Sequence, residues 1–343
     1  MNYKFFISSE KAWGAMFRTI AAAKKSVYLE MYIFQNDMEK FNFFDLLKEK
    51  AKAGLRVRII LDSFGSASLN KSAIAELKAS GAEVLFHSYL LHRTHRKVLV
   101  VDDTVAFVGG VNLHQTARFW NDLMVRIKGS LVRSVTVSFA RSYIHAGGRD
   151  PILLGKSKKI VLAKVGTWIV EHSPLKKDFD LKRVYKERIG EAQKSILLIT
   201  PYFMPKRWLS AALHRAVLSG VGVTVLVPRY TDHFIIDRVN YFYMYRLSKL
   251  GIRFYLKPDM NHAKAMILDS KEAMIGSQNL DFLSFDLNSE VGVFFTEPRV
   301  VSRLSAIAEK WKSESTLFDH TSYKPRWFDY LLSPLINLFS RIF

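Results

Sequence analysis

One pattern of residues, H-x-K-x4-D-x6-G-[GS]-x-N, occurs twice in this chain of 343 residues. The first copy runs from His95 to Asn112 and the second from His262 to Asn279, 167 positions later. One His-x-Lys would mean little in so basic a chain, but chance does not explain two copies that agree at five residue types. The flanking sequences repeat as well, at offsets between 166 and 170. The chain is therefore two copies of one unit, and the period is too long for a solenoid.

Each half alternates predicted strands and helices. In the first half, Ser26 to Phe34 is a predicted strand, and Phe41 to Ala53 is a predicted amphipathic helix that stops at Gly54. In the second half, Ile196 to Ile199 and Trp208 to Ser219 repeat that order. We therefore expect an α/β fold with two similar lobes, related by a pseudo-twofold and each built from a mixed β-sheet flanked by helices.

A stretch rich in glycine and lysine, from residue 147 to 159, predicts the boundary between the lobes. We expect lobes at 1–150 and 151–320, followed by a C-terminal segment at 321–343. In residues 326–343, polar side chains recur every four positions and leave a broad apolar face. That segment is either an interfacial membrane helix or a helix docked on the protein. The aromatic-rich stretch from Phe234 to Tyr245 leaves the same two alternatives open.

Composition limits the function classes. The formal net charge of +20 indicates an anionic partner, and both nucleic acid and an anionic membrane satisfy it. The absence of cysteine excludes disulfides, zinc–thiolate sites and thiol catalysis. No uncharged apolar run reaches roughly 18 residues, so we expect no transmembrane helix.

The twin motif has the residues of a phosphoryl-transfer site. In a strand, His95 and Lys97 would point to one face, and the second copy repeats that parity. Lysines and asparagines supply positive charge and hydrogen-bond donors to phosphate oxygens. One neutral imidazole can attack phosphorus and form a phosphohistidine, while the other, protonated, donates to the leaving alkoxide. The predicted pocket holds His95, Lys97, Asn112, His262, Lys264 and Asn279.

The carboxylates near the motifs divide into two groups. Asp102 and Asp269 have the opposite parity and stand in turn-like sequence, so we expect them to be structural. Asp122 and Glu290 follow the first and second motif at similar distances, and each could orient the imidazole of its own motif. No carboxylate clusters with the histidines at ligand spacing, so we expect no metal site. His233 remains open between a structural role and a place near the pocket.

The twin pattern resembles the phospholipase D superfamily, and the flanking sequence is similar to bacterial cardiolipin synthases. The similar segments include Arg93–Asn112, Thr200–Pro205 and Leu287–Glu290. The resemblance implies a single site formed by both motifs, with His95 as nucleophile and His262 as general acid. It also implies transfer of a phosphatidyl group between phospholipids through a phosphohistidine, releasing glycerol or another head-group alcohol, without a cofactor.

The expected partners are anionic phospholipids and a membrane surface. The resemblance places the protein peripherally or monotopically on the cytoplasmic face of a bacterial inner membrane. The alternative is a phosphodiesterase of the same fold that acts on nucleic acid, which the net charge would favour. Two motifs in one chain and the apolar C-terminal segment argue against it, so we expect no nucleic-acid partner. The sequence does not predict the oligomeric state.

Overall fold

The computed structural model of the protein describes residues 2–87, 89, 92–158 and 166–330. It confirms the predicted α/β fold with two similar lobes, each a mixed sheet flanked by helices. The elements of the first lobe are β1 (Asn2–Ser8), α1 (Ser9–Ala21), β2 (Ser26–Met31), α2 (Phe43–Lys52), β3 (Arg56–Asp62), α3 (Lys71–Ala79), β4 (Glu83–His87), β5 (Val98–Val101), β6 (Val105–Gly109), β7 (Asn121–Lys128) and α4 (Leu131–His145).

A short helix, α5 (Pro151–Ser157), packs against α4 and precedes the second lobe. The elements that follow are β8 (Thr167–His172), α6 (Asp180–Glu191), β9 (Ser195–Ile199), α7 (Arg207–Leu218), β10 (Gly222–Pro228), α8 (Phe234–Ser248), β11 (Arg253–Lys257), β12 (Ala265–Leu268), β13 (Glu272–Gly276), α9 (Phe282–Asp286), β14 (Glu290–Phe295), α10 (Pro298–Ser313) and β15 (Thr316–Leu317).

The two sheets have the same strand order. The first runs β1-β7-β6-β5-β2-β3-β4, and the second runs β8-β14-β13-β12-β9-β10-β11, with β15 added at its edge. In each sheet three strands are parallel, and the remaining pairings are antiparallel. The repeat seen in the sequence is therefore a repeat of topology.

This topology determines where the motif residues lie. The parallel strands β2, β3 and β4 end at the same edge of the sheet at which β5 and β7 begin. The second sheet repeats the arrangement with β9, β10, β11, β12 and β14. We call this edge, in both sheets, the site edge. The histidines, lysines and asparagines of both motifs lie on it, as do both following carboxylates, whereas the motif aspartates lie at the opposite edge.

The interior consists of three apolar clusters. One lies between the two sheets and includes one face of α4 and of α10, for example Phe139 and Trp311. The other two lie on the outer face of each sheet, beneath α1 to α3 in the first lobe and α6 to α8 in the second. Because the central cluster contains strands of both sheets, burial of apolar surface holds the two lobes together.

The predicted elements differ from the observed ones mainly at their ends. The helix predicted from Phe41 begins at Phe43, because the side chain of Asn42 caps it by accepting the N–H of Asp45 at 2.9 Å. The strand predicted to reach Phe34 ends at Met31. Gly54, in the left-handed region at φ +82°, ends the helix as its position predicts.

The C-terminal segment begins by docking on the second lobe. The buried carboxylate of Asp329 accepts hydrogen bonds from the Arg238 guanidinium on α8 at 2.6 and 2.7 Å. Tyr330 packs edge-on against Phe242, with ring centroids 5.1 Å apart. Residues 331–343, on which most of the predicted amphipathic segment falls, lie outside the described residues. In the part of the chain that the structure describes, every helix is too short or too polar to cross a bilayer.

Candidate active site

The first motif approaches the second lobe through its backbone. His95 and Lys97 precede β5 in an extended segment, so their predicted place on a strand is wrong. This segment pairs instead with the start of β14: His95 N–H donates to the Ser289 carbonyl at 2.9 Å, and Ser289 N–H donates to the Arg93 carbonyl at 2.8 Å. The pairing directs the His95 side chain toward the opposite lobe.

The second motif makes the same backbone exchange with the first lobe. His262 N–H donates to the carbonyl of Asn121, at the start of β7, at 2.7 Å. Asn121 N–H in turn donates to the Met260 carbonyl at 3.0 Å. Each motif thus adds a short strand-like contact to the other lobe, next to the carboxylate that follows the other motif.

His95 is held by Glu290 of the second lobe. Its Nδ1 lies 3.0 and 3.2 Å from the two carboxylate oxygens of Glu290, which is fully buried. The hydroxyls of Ser277 and Ser284 also donate to that carboxylate, the latter at 2.7 Å. Burial alone would raise the pKa of Glu290, but His95, Lys97 and Ser277 lower it. Glu290 is therefore ionised and fixes the hydrogen of His95 on Nδ1.

His262 is held by Asp122 of the first lobe, with Nδ1 2.8 Å from the carboxylate oxygen Oδ2. Among the described residues, the only other hydrogen bond to this carboxylate is from Leu123 N–H, at 2.7 Å. Burial raises the pKa of Asp122 to about 7. The carboxylate also lies against Gly110, where a Cβ would be 2.3 Å from its oxygen, so this motif position requires glycine.

The prediction that each carboxylate holds the imidazole of its own motif is therefore wrong. Asp122 and Glu290 both contact a histidine, but each contacts the histidine of the opposite lobe. The physical reason is the backbone exchange: each His-bearing segment leaves its own sheet and pairs with the other. The site is complete only when both lobes are present.

The two lysines are buried beside the histidines and contact their backbones. Lys97 Nζ donates to the His95 carbonyl at 2.6 Å, and Lys264 Nζ donates to the His262 carbonyl. Burial lowers the pKa of Lys264 to about 8 and holds the pKa of Lys97 well below its usual range. Two cations so placed are poised to receive a negatively charged group.

The electrostatics place both motifs in one site. Burial lowers the pKa of His95 to about 4, and Lys97 and Lys264 contribute in the same direction. Burial, then Lys264, Lys97 and His95, hold the pKa of His262 well below its usual range. Charges of one lobe act on the imidazole of the other, so both rings are neutral in the ligand-free protein near pH 7.

The motif asparagines lie buried at the site edge. The Asn112 side-chain oxygen faces Ile33 N–H at 3.4 Å, and its carbonyl accepts from the Trp13 indole at 2.8 Å. Asn279 N–H donates to Ser284 Oγ at 2.9 Å, and its buried Oδ1 has no hydrogen-bond partner among the described residues. Their role in binding phosphate remains a prediction.

The motif aspartates lie at the far ends of their strands. Asp102 accepts the backbone N–H groups of residues 24, 25 and 26 at 2.7 to 2.8 Å. Asp269 accepts those of residues 193, 194 and 195 at 2.8 to 2.9 Å. Both have left-handed backbones with φ 53°. Each carboxylate ties the turn after the motif strand to the loop before the neighbouring parallel strand, away from the histidines.

Aromatic side chains that the motif did not reveal surround the imidazoles. The Tyr32 ring lies 4.7 Å from the His95 ring, and the Trp120 ring lies 5.4 Å from the His262 ring. Tyr202 lies 6.3 Å from His262 and donates to Asp232 at 2.6 Å. His233 is mostly exposed, 3.5 Å from Asp232. Trp120 stands two residues before Asp122, which is the only sequence signal that could have located it.

A second network supports the first motif from behind. Arg96, between the two motif residues, contacts Glu30 at 3.1 Å and donates to Ser138 Oγ at 2.7 Å. Thr94 Oγ1 also donates to Glu30, at 2.6 Å. The equivalent of Arg96 in the second motif is Ala263, so this support is present in one lobe only.

Two mixed sheets that share one site, with a histidine and a lysine from each, define the phospholipase D superfamily. Residues 16–143 and 185–311 match the family model described as "Cardiolipin synthase, PLD-like domain". The chain belongs to that family.

Relatives of similar sequence carry the name cardiolipin synthase. One from Oceanobacillus iheyensis is 31% identical, with 94% of this chain and 71% of the relative covered. The major cardiolipin synthase ClsA of Bacillus subtilis is 30% identical, with 92% and 72% covered. One from Halalkalibacterium halodurans is 30% identical, with 88% and 64% covered. The chain spans about two thirds of the length of the curated relatives that it matches.

Solved structures share the fold. Phosphatidylserine synthase from Haemophilus influenzae matches with a TM-score of 0.77 at 15% identity, covering 99% of this chain and 93% of that one. Polyphosphate kinase from Porphyromonas gingivalis matches with a TM-score of 0.67 at 14% identity, covering 100% and 54%. At these identities the similarity concerns the fold alone.

Proposed function

We propose that this protein is a phosphatidyltransferase of the cardiolipin synthase type. It moves a phosphatidyl group from one phospholipid to a hydroxyl of another and releases a head-group alcohol. The observation that carries the proposal is the pair of buried carboxylate–imidazole contacts, Glu290–His95 and Asp122–His262, each formed across the lobes. The names of the relatives supply the substrate class.

In the first step, His95 attacks the phosphorus of the donor lipid. Glu290 holds the hydrogen on Nδ1, so the lone pair of Nε2 is free to form the N–P bond. The P–O bond to the head-group alcohol breaks, and His262 donates its Nε2 proton to the departing oxygen while its Nδ1 takes the proton held by Asp122, so the ring stays neutral. Lys97 and Lys264 stabilise the charge that develops on the non-bridging oxygens.

In the second step, the acceptor hydroxyl attacks the phosphohistidine. His262 takes the hydroxyl proton on Nε2 and returns its Nδ1 proton to Asp122, the new P–O bond forms, and the N–P bond to His95 breaks. With two phosphatidylglycerol molecules the products are cardiolipin and glycerol, and atoms and charge balance. Water in place of the acceptor would give phosphatidic acid, so exclusion of water favours transfer over hydrolysis.

We also propose that the protein acts peripherally at a membrane surface, on the cytoplasmic face of a bacterial inner membrane. The formal net charge of +20 supports attraction to anionic lipid. The bacterial origin of the relatives supports the compartment.

The test incubates the purified protein with phosphatidylglycerol vesicles and identifies the products by mass spectrometry. We expect cardiolipin and glycerol in equal amounts, and none from the His95→Ala variant. The matched control is His214→Ala, a histidine on α7 that lies away from both motifs. Formation of phosphatidic acid alone would identify a hydrolase, and no turnover of any phospholipid would refute the proposal.

A further inference from the structure

Five aromatic side chains are unusually exposed. Among the described residues, these are the aromatic rings with more than 60% of their surface exposed: Phe64 (62%), Phe119 (79%), Tyr230 (66%), Phe234 (78%) and Trp327 (75%). We call these five residues the aromatic rim. Large apolar side chains this exposed lose the free energy of burial unless another surface covers them.

The two rim residues of the first lobe stand close to the histidines. Phe64 follows β3 at the site edge, and its N–H donates to Asp62 at 3.0 Å. The other oxygen of Asp62 accepts Thr94 N–H, adjacent to His95, at 2.9 Å. Phe119 directly precedes Trp120, the ring 5.4 Å from His262. Both therefore stand next to residues that adjoin or contact the histidines.

The rim residues of the second lobe are connected to the same site. Tyr230 and Phe234 flank Asp232, which accepts from Tyr202, a ring that lies 6.3 Å from His262. Trp327 packs on Phe328, which lies under the guanidinium of Arg238, one turn after Phe234 on α8. The rim thus gathers side chains from four separate segments of the chain near one site.

Arginines accompany two of the rim rings. The guanidinium carbon of Arg93 lies 4.2 Å from the centroid of Phe64, and that of Arg118 lies 5.1 Å from the centroid of Phe119. A ring beside a guanidinium matches the boundary of a bilayer, where acyl chains meet phosphates. This charge complementarity favours an anionic lipid surface over a protein partner.

The opposite edge of the sheets differs. There α7 ends at the exposed Leu218, and Leu250 is exposed after α8; among the described residues no phenylalanine, tyrosine or tryptophan ring outside the rim is more than 60% exposed. Single exposed leucines are ordinary on a soluble surface. The concentration of aromatic rings at the site edge is therefore a local feature and not a property of the whole surface.

We propose that the aromatic rim is the surface by which this protein docks on a bilayer containing anionic phospholipid, with the site opening against the membrane. The inference rests on the proposed function, because a phosphatidyl donor must reach the histidines from a bilayer. Docking by the rim brings head-group phosphates to the opening while the acyl chains stay in the lipid.

The first test removes three rim rings with the variant Phe64→Ser/Phe119→Ser/Phe234→Ser. Binding is measured by sedimentation with phosphatidylcholine vesicles that contain phosphatidylglycerol. We expect binding to weaken on the order of 30-fold or more, because three rings no longer leave water. The matched control is Leu218→Ser/Leu250→Ser, which should bind as the wild type does. Equal binding of the rim variant would overturn the inference.

A second test does not depend on removing side chains. Because the chain has no cysteine, Phe119→Cys and Leu218→Cys each accept one polarity-sensitive fluorophore. We expect a blue shift on vesicles only for the label at position 119, with quenching by brominated acyl chains. Equal responses at the two positions, or no response at 119, would contradict docking by the rim.

Turnover of a short-chain, monomeric phosphatidylglycerol separates this inference from the proposed function. The rim variant should transfer phosphatidyl groups from this soluble donor at the wild-type rate, which also shows that it folds. If the wild type docks by the rim but transfers nothing, the docking surface stands and the proposed function fails. If transfer occurs while the rim variant binds normally, only the docking surface fails.

Discussion

The two carboxylate–imidazole pairs occupy equivalent places in a duplicated fold, yet they differ in hydrogen bonding. Glu290 receives His95 Nδ1 and the hydroxyls of two serines, and its pKa is lowered. The carboxyl group of Asp122 contacts His262 Nδ1 and accepts one backbone N–H, and burial raises its pKa to about 7. One pair thus has a fixed negative charge, whereas the other can hold a proton near neutral pH.

This difference supports the division of chemical roles that we propose for the two histidines. Ionised Glu290 requires the hydrogen on Nδ1 of His95, which leaves Nε2 free to act as a nucleophile. When Asp122 carries a proton, it can donate to Nδ1 of His262, which places the ring hydrogen on Nε2, where it can protonate a leaving group. These proposed roles are the ones that the family resemblance implies, and the different hydrogen-bond donors around the two carboxylates support them.

Part of the difference comes from one motif position. The position after the first motif glycine is Gly110 in the first lobe and Ser277 in the second. A side chain at 110 would collide with Asp122, since a Cβ there would lie 2.3 Å from its oxygen. At 277 the serine hydroxyl instead donates to Glu290. A duplicated site has therefore become asymmetric through the donors around it.

The largest expected effect distinguishes the nucleophile from the general acid. It does so by comparing donors whose leaving groups do and do not need a proton. His95→Ala and His262→Ala should each lower transfer from phosphatidylglycerol by about 10,000-fold or more. With a p-nitrophenyl phosphodiester, whose leaving group needs no proton, His262→Ala should still form the covalent adduct within about tenfold of the wild-type rate. His95→Ala should form none.

The adduct is measured by intact-protein mass spectrometry after rapid quenching. Wild-type protein with the same donor is the positive control, and circular dichroism checks that both variants fold. Equal loss of adduct in the two variants would mean that the pairs do not divide the roles. An adduct in His95→Ala alone would reverse the assignment.

We expect pH to have a smaller effect on kcat/KM than these substitutions. The two carboxylate–imidazole pairs change protonation at different pH values, so each should limit kcat/KM on a different side of the pH optimum. The pKa of His95 is about 4, so kcat/KM should fall about tenfold per unit below that pH as its nucleophilic nitrogen takes up a proton. The pKa of Asp122 is about 7, so kcat/KM should fall similarly above pH 7, as the acid pair loses its proton.

The p-nitrophenyl donor tests whether the pair of Asp122 and His262 causes the fall in kcat/KM above pH 7. Adduct formation from this donor needs no acid, so the fall near pH 7 should vanish while the fall near pH 4 remains. The rates are measured by release of p-nitrophenol under pre-steady-state conditions. A fall at pH 7 that persists with both donors would show that another group, such as Lys264 with a pKa of about 8, causes it.

The sequence predicted the fold class because the duplication is visible at conserved spacing within the chain itself. The alternation of strands and helices also identified most elements to within a few residues. The strand position of His95 was not predictable, because its segment pairs with Ser289, 194 residues away in the sequence. The alternation of side chains along one strand does not show which segment of the other sheet pairs with that strand.

The pairing of carboxylates with imidazoles was hidden for the same reason. Asp122 and Glu290 were identified by their similar distance from each motif, but that distance is equally compatible with contact inside a lobe or across the two. The hydroxyl donors to Glu290 were hidden as well, because Ser284 lies on α9, which no periodic pattern marks. Tertiary contacts at the site edge determine both the carboxylate–imidazole pairing and the hydroxyl donors to Glu290.

The smallest expected effect tests the origin of the asymmetry directly. Ser277→Gly gives the second lobe the residue of the first and removes one hydroxyl that donates to Glu290. The pKa of Glu290 should rise, and the rate of adduct formation should fall by about tenfold, the effect of one lost hydrogen bond to a charged group. The fall in kcat/KM above pH 7, which we attribute to Asp122, should occur at the same pH as in the wild type, because Ser277 does not contact Asp122. A loss confined to the second half-reaction, with adduct formation unchanged, would show that the serine acts elsewhere than on the nucleophile.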